Sequence, residues 1–242
     1  MKKIRPLLAI GAGSFLVLAA ILGFAARQQY ASALAIKVFP QNGSALKLST
    51  PGPAPILMLG DSRIAAWDCS ELAGKRVINA GFPGITSAQL ASGCGRILED
   101  THPKIVVVQV GINDLKLIGV RLQWRERIVE NCISNILSIV DQSKKTGARV
   151  IVTTIWPVGR LTLLRRFVWN HDIDAAVDEA NSRLKAALVS DPNAVAVDLF
   201  SEMTQGLSQD QRLDLYTDTL HLKPAAYEQL TSLLAKILPA GL

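Results

Sequence analysis

The chain predicts an α/β fold of three layers, with helices covering both faces of a parallel sheet of five strands. Two patterns carry this expectation. Short apolar runs alternate with longer stretches of helical periodicity, and strands buried by helices from both sides read as continuous apolar runs. The runs also end in Gly, Asp, Ser or Asn, residues that turn a chain at the end of a strand. Size agrees: 242 residues, 49% hydrophobic and 19% charged, suffice for one domain with a full core and exclude a disordered chain.

At the N-terminus, Met1-Lys2-Lys3-Ile4-Arg5 is basic and residues 7–26 carry no charge. As a helix this run is about 30 Å long, the thickness of a bilayer core. One N-terminal transmembrane helix is therefore expected within residues 1–28. It is expected to stay uncleaved, because the run exceeds the roughly 7–15 residues of a signal-peptide core. Small residues at Ala31-Ser32-Ala33 and Ala33-Leu34-Ala35 make cleavage and secretion the alternative. Lys2, Lys3 and Arg5 outweigh Arg27 after the run, which places the N-terminus in the cytoplasm. The expectation is thus a single-pass inner-membrane protein whose folded part faces the periplasm or the outside.

Residues 29–54 read as a linker, with Pro, Gly, Ser and Thr concentrated over 40–55. Residues 55–242 form the folded domain. Its strands are expected at Ile56-Leu57-Met58-Leu59, Arg76-Val77-Ile78, Ile105-Val106-Val107-Val108-Gln109-Val110, Val150-Ile151-Val152-Thr153-Thr154-Ile155 and Val195-Ala196-Val197. Helices are expected over 86–98, 122–145, 172–189 and 224–238. Ligands of such sheets sit outside the carboxyl ends of the strands.

The formal charge of +6 includes Lys2, Lys3 and Arg5, and the other cations form no Lys/Arg run with interleaved aromatics. No nucleic-acid partner is expected. Three cysteines cannot all pair within one chain. Cys132 shares a helix face with Val129, Ile133, Ile136, Leu137 and Val140, the position of a buried free thiol. Cys69 and Cys94 remain as a possible bridge, although Cys94 shares core spacing with Leu90, Ile97 and Leu98.

Four short blocks fall where strands end: Gly60-Asp61-Ser62, Asn79-Ala80-Gly81-Phe82-Pro83-Gly84, Gly111-Ile112-Asn113-Asp114 and Asp218-Thr219-Leu220-His221. A serine hydroxyl is a poor nucleophile at neutral pH, so it needs a histidine to take its proton and a third group to orient that imidazole. Of the three histidines, His102 precedes Pro103 at the entry of a strand, the wrong end of the sheet, and His171 opens a helix. His221 alone has an aspartate, Asp218, three residues before it in a loop. A curl of one turn brings that carboxylate to Nδ1 and turns Nε2 toward Ser62. An oxyanion would be met by the backbone N–H groups of Ser62 and Gly84 and the side-chain amide of Asn113.

Together the four blocks resemble the SGNH hydrolases, also called the GDSL esterase/lipase family, over about residues 56–238. The resemblance implies a flavodoxin-like sandwich with Ser62, Asp218 and His221 as catalytic triad and Ser62, Gly84 and Asn113 as oxyanion hole. It also implies an ester substrate, whether small molecule, lipid or glycan, and no cofactor or metal. Two departures stand out. Arg63 occupies the leucine position of the family's name, where it is expected to alter packing or charge without touching the chemistry. Leu222-Lys223 displaces the proline usual just after the histidine to Pro224.

Other readings share these residues. The triad could pass an acyl group to a sugar or lipid hydroxyl, as an O-acyltransferase. Asp61, Asp114, Asp218 and His221 could ligate a divalent metal in a phosphoesterase, or the fold could persist as a non-catalytic binding module. Residues 156–169, with Arg160, Arg165 and Arg166 among Leu161, Leu163, Leu164, Phe167 and Val168, follow the fourth strand and border the expected site. They suit a packed connection, or contact with anionic lipid or an acidic glycan.

Overall fold

The structure, a computed structural model, describes residues 4–43, 46–48 and 52–238, and for 4–14 and 16 the backbone alone. Its sheet has six strands: β1 (Ile56–Gly60), β2 (Glu71–Leu72), β3 (Lys75–Gly81), β4 (Ile105–Gln109), β5 (Arg149–Thr153) and β6 (Ala194–Val197), in the order β2-β3-β1-β4-β5-β6. β3, β1, β4, β5 and β6 are mutually parallel. The expected sheet of five parallel strands is thus corrected to six. The addition, β2, is antiparallel to β3 and pairs Glu71 with Arg76 and Leu72 with Lys75. A strand of two residues leaves no periodicity to read. Its tight turn uses positive φ at both Ala73 (50°) and Gly74 (73°), the left-handed conformation of a two-residue hairpin loop, in which alanine gives no warning.

Nine α-helices are present among the described residues: α1 (Ile4–Val38), α2 (Ser62–Ala65), α3 (Ser87–Thr101), α4 (Ile112–Leu115), α5 (Arg125–Lys145), α6 (His171–Leu188), α7 (Leu199–Met203), α8 (Gln209–Leu213) and α9 (Pro224–Ile237). Successive side chains of a strand point to opposite faces, and the two cores divide accordingly. Leu57, Leu59, Val106, Val108, Val150 and Val152 pack with α3, α5 and α6. Ile56, Met58, Ile105, Val107 and Ile151 pack with Trp67, Trp156 and the Tyr227, Leu230 and Leu234 face of α9. β1 and β4, at the centre, are buried at every position. The long helices start where the sequence marks them: Thr86 and Gln89 form a capping box on α3, and Pro224 opens α9.

The irregular stretch expected from residue 29 begins only after Val38, because α1 continues through the alanine-rich segment Ala31 to Ala35 and docks on the domain. Ala31 and Val38 are fully buried. Thr86 Oγ1 donates to the Lys37 carbonyl at 2.6 Å, Asn131 Nδ2 to that of Val38 at 2.9 Å, and the Phe39 and Trp124 rings meet edge-on at 6.2 Å. Among the described residues no helix is long and apolar enough to cross a membrane, so the expected transmembrane helix is not found there. The side chains of 7–14 and of Leu16, much of the expected span, lie outside the described set. All three cysteines are buried and free, so Cys69 and Cys94 form no bridge.

Candidate active site

β1 ends at Gly60, Asp61 caps α2, and Ser62 is its first residue. Asp61 Oδ1 accepts the Arg63 N–H at 2.9 Å, while the N–H of Ser62, at the first helical position, has no acceptor within α2. Two residues of β3 hold this turn. Asn79 Nδ2 donates to the carbonyls of Ile64 (2.7 Å) and Trp67 (2.9 Å). Gly81 lies so close to the Ala65 backbone that a Cβ would overlap it.

The loop between α8 and α9 brings in Asp218 and His221. Tyr216 and Leu222 form an isolated antiparallel bridge, and the His221 carbonyl accepts from Thr217 N at 2.9 Å. Inside the loop Asp218 Oδ1 accepts the N–H groups of Leu220 (2.6 Å) and His221 (2.9 Å). Its Oδ2 lies 2.8 Å from His221 Nδ1, and His221 Nε2 lies 2.8 Å from Ser62 Oγ. Burial raises the Asp218 carboxyl, but the hydrogen bonds from the His221 ring and from the Leu220 and His221 backbone outweigh it and pull the pKa down to about 2. Asp218 is thus an anion at neutral pH. Nδ1–H donates to it, which leaves Nε2 able to accept the serine proton, a tautomer assigned from these roles.

Gly84 and Asn113, the other two expected oxyanion donors, lie in the turn after β3 and in α4. Gly84 adopts φ of 74°, a left-handed turn that favours glycine. Asn113, 3% exposed in α4, donates one Nδ2–H to the Ile85 carbonyl at 2.9 Å. An amide nitrogen carries two hydrogens, so the same contact that fixes the Gly84-Ile85 turn leaves the second N–H for a ligand. The neighbouring Asp114 is fully buried and accepts Ser87 N (2.9 Å) and Ser87 Oγ (2.7 Å). Burial raises its pKa to about 7 despite these bonds.

Arg63 does more than its residue type suggested. Its side chain is fully buried. It donates from Nε to the Leu220 carbonyl (3.1 Å), from Nη1 to Trp156 (2.7 Å) and from Nη2 to Pro157 (3.1 Å). The guanidinium also lies 5.5 Å from the Trp156 ring centre. It therefore ties the residue beside Ser62 to the loop carrying His221 and to the segment after β5. Burial lowers its pKa and nearby Asp61 opposes the shift. The only sequence signal was an arginine where the resembling family has leucine.

The remaining candidates separate. His102 ends α3 at φ of 43°, and the side chain of His171 is 91% exposed at the start of α6. Asp61 caps α2, Asp114 is turned to Ser87 and Asp218 to His221. Among the described residues no three His, Cys, Asp or Glu side chains gather as a metal site. Two cavities are lined by candidate-site residues, one by His221 and one by Gly84. One of about 500 Å³ is lined by Ala66, Asp68, His221, Leu222, Tyr227 and Glu228, and one of about 370 Å³ by Lys37, Phe82, Gly84 and Gln89 among others. A cavity of about 580 Å³ between Leu46, Leu48, Arg96 and Gln142 contains none of the triad.

A parallel α/β sheet with serine, imidazole and carboxylate in a hydrogen-bonded row at its strand ends defines the class of serine hydrolases. The chain belongs to the GDSL-like lipase/acylhydrolase family, which it matches over residues 58–229, and it is an ester-bond hydrolase. Solved structures of similar fold include a GDSL-like lipase from Bacteroides thetaiotaomicron, at 18% identity and TM-score 0.58, covering 75% of this chain and 85% of that one. The lipase/acylhydrolase from Enterococcus faecalis is 22% identical with TM-score 0.53, covering 75% and 93%. A catalytic mutant of an acetylxylan esterase from Geobacillus stearothermophilus is 18% identical with TM-score 0.53, covering 78% and 95%. No curated protein matches the sequence.

Proposed function

We propose that the protein is a serine esterase that cleaves carboxylic esters of lipids or acylated glycans through an acyl-Ser62 intermediate. The observation that carries this reading is the row Asp218 Oδ2, His221 Nδ1 and Nε2, Ser62 Oγ, with both links at 2.8 Å. His221 Nε2 takes the Ser62 proton as Oγ attacks the ester carbon. The carbonyl electron pair moves onto oxygen, where the N–H groups of Ser62 and Gly84 and the amide of Asn113 hold it. The imidazolium, oriented by Asp218, returns its proton to the alcohol oxygen as that C–O bond breaks, leaving acyl-serine. Water then attacks the acyl carbon, its proton passing to Nε2 and on to Ser62 Oγ as the acid leaves.

A fluorophosphonate probe should label Ser62, and Ser62→Ala should abolish both labelling and hydrolysis of p-nitrophenyl acetate. Labelling that persists in Ser62→Ala rules the reading out. Products analysed with and without an acceptor alcohol separate hydrolysis from acyl transfer.

The envelope location belongs to the same proposal. It is supported by the basic residues before an uncharged run at the N-terminus. On α1, Phe15, Leu18, Ile21, Leu22 and Phe24 stand 54–71% exposed. Fractionation of the full chain that finds it wholly in the cytosol overturns this part alone.

A further inference from the structure

Three cations from separate segments act on one another, and one of them, Lys37, lies beside Gly84. Lys37 lies in the last turn of α1, and its Nζ is 3.7 Å from where a side chain at Gly84 would begin. Lys116 follows α4, three residues after Asn113, and is half-buried. Arg165 lies in the turn Arg165–Phe167 after β5, near enough to Tyr30 of α1 for its charge to be felt there. Burial, then the positive charge of Arg165 and, more weakly, that of Lys37, hold Lys116 down at about 8 against the opposing pull of Asp61 and Asp114.

None of the three makes an ion pair among the described residues. Elsewhere the fold does pair its cations: Arg160, on the same segment as Arg165, meets Asp210 at 3.2 Å, Arg125 meets Glu179 at 2.8 Å and Lys185 meets Asp198 at 2.8 Å. The cavity lined by His221 carries Asp68 and Glu228 instead. The two sides therefore differ, with cations that make no ion pair near the Gly84 turn and carboxylates lining the cavity beside His221.

We propose that Lys37, Lys116 and Arg165 form a subsite for an anionic group, a carboxylate or a phosphate, so that the preferred substrate is an ester carried on an acidic molecule. An anion seated there removes the mutual repulsion of the three cations. The inference rests on Ser62 being the nucleophile, and it can be tested apart from that reading.

The probes are 4-acetamidobenzoate and its neutral carboxamide, 4-acetamidobenzamide, neither of which holds an ester for a serine esterase to cleave. Calorimetry on the full chain should find the anion bound more tightly, with a preference that shrinks as salt rises from low to about 0.5 M. Lys37→Gln and Arg165→Gln should each lower the anion-to-neutral affinity ratio about threefold, and the double variant more. Lys37 is exposed, so this change should fold; Arg166→Gln, an exposed neighbour, serves as the control and should leave the ratio unchanged. Equal binding of the two probes, or ratios that ignore Lys37 and Arg165, overturns the subsite. Hydrolysis of 4-acetoxybenzoate reports on the other reading: anion preference without Ser62-dependent turnover refutes the esterase and leaves the subsite. Acetylated uronate oligosaccharide and dispersed short-chain phosphatidylglycerol then distinguish a glycan carboxylate from a lipid phosphate, as the substrate whose kcat/KM falls in the double variant.

Discussion

Asn113 is buried with one amide hydrogen bonded to the Ile85 carbonyl at 2.9 Å, so on the proposed mechanism it both shapes the Gly84 turn and meets the oxyanion. Donors aimed at a charge that develops only during reaction act on kcat more than on KM. Asn113→Ala should lower kcat on p-nitrophenyl acetate about 100- to 1,000-fold; a change confined to KM would contradict the assignment. Arg63 acts through others. Arg63→Leu restores the family's residue but leaves the Leu220 and Trp156 carbonyls without their donor, while Pro157 keeps the Tyr216 hydroxyl at 2.6 Å; each unsatisfied buried acceptor costs about 1–3 kcal/mol. We expect a lowered Tm with kcat reduced alongside it, and partial recovery in Arg63→Lys, which keeps a cation with fewer directed donors. Full activity and an unchanged Tm in Arg63→Leu would show that the clamp is idle. Asp218 supplies a pH signature. Its pKa near 2 in the fold lies below the roughly 3.9 of an unfolded aspartate. The native state then binds fewer protons, so its contribution to stability is full above about pH 4 and is lost as pH falls from there to about 2. The side chain is 53% exposed, so solvent screens the effect. Thermal unfolding at pH 5 and pH 2.5 should show a smaller Tm difference in Asp218→Asn than in the parent.

At the scale of elements, the network around Asp114 ties three helices together. Asp114 of α4 accepts from Ser87 at the start of α3, and Asn135 of α5 donates to Ser87 Oγ at 3.2 Å. Ser87→Ala removes both hydroxyl contacts inside a buried site and should cost about 1–3 kcal/mol by denaturant titration, with m unchanged; no shift in midpoint would mean that the contacts are replaceable. What the sequence made legible follows the same scale. Long periodic helices such as α3, α5, α6 and α9 were readable within a few residues, because their apolar stripes repeat and because Thr86 and Pro224 mark their starts. The five parallel strands were readable as continuous apolar runs. β2 was not, since two residues carry no period, and neither was the extension of α1 to Val38, where burial of Ala31 and Val38 rather than local pattern decides the structure. The four blocks of the site were legible because turn chemistry and reaction chemistry use the same short motifs. Arg63 was missed because its three acceptors, up to 157 residues away, are backbone carbonyls that no side-chain pattern announces.

For the whole molecule, the docked half of α1 is part of the domain's architecture. Its end covers α3 and the turn after α4, places Lys37 beside Gly84, and receives Thr86, the residue that caps α3. Phe39 continues the contact, under the Arg127 guanidinium at 4.4 Å and against Trp124. Nearer its N-terminal end, Arg27 donates to the Gly119 carbonyl at 2.9 Å and Arg121 to Gln28 Oε1 at 2.7 Å. Two truncations separate this docking from the apolar run before it. One begins at Ala26 and keeps all of these contacts; the other begins at Gly52 and keeps none. Burial of Val38 alone is worth about 1.5–3 kcal/mol, and the hydrogen bonds and ring contacts add to it. At roughly 2–4 °C per kcal/mol for a domain of this size, the shorter chain should melt about 5–10 °C lower. It should also lose kcat on p-nitrophenyl acetate, because the Gly84 turn gives up the helix that packs beside it. Equal melting temperatures and equal rates would show that α1 merely rests on the domain and that residues 52–238 position the site unaided.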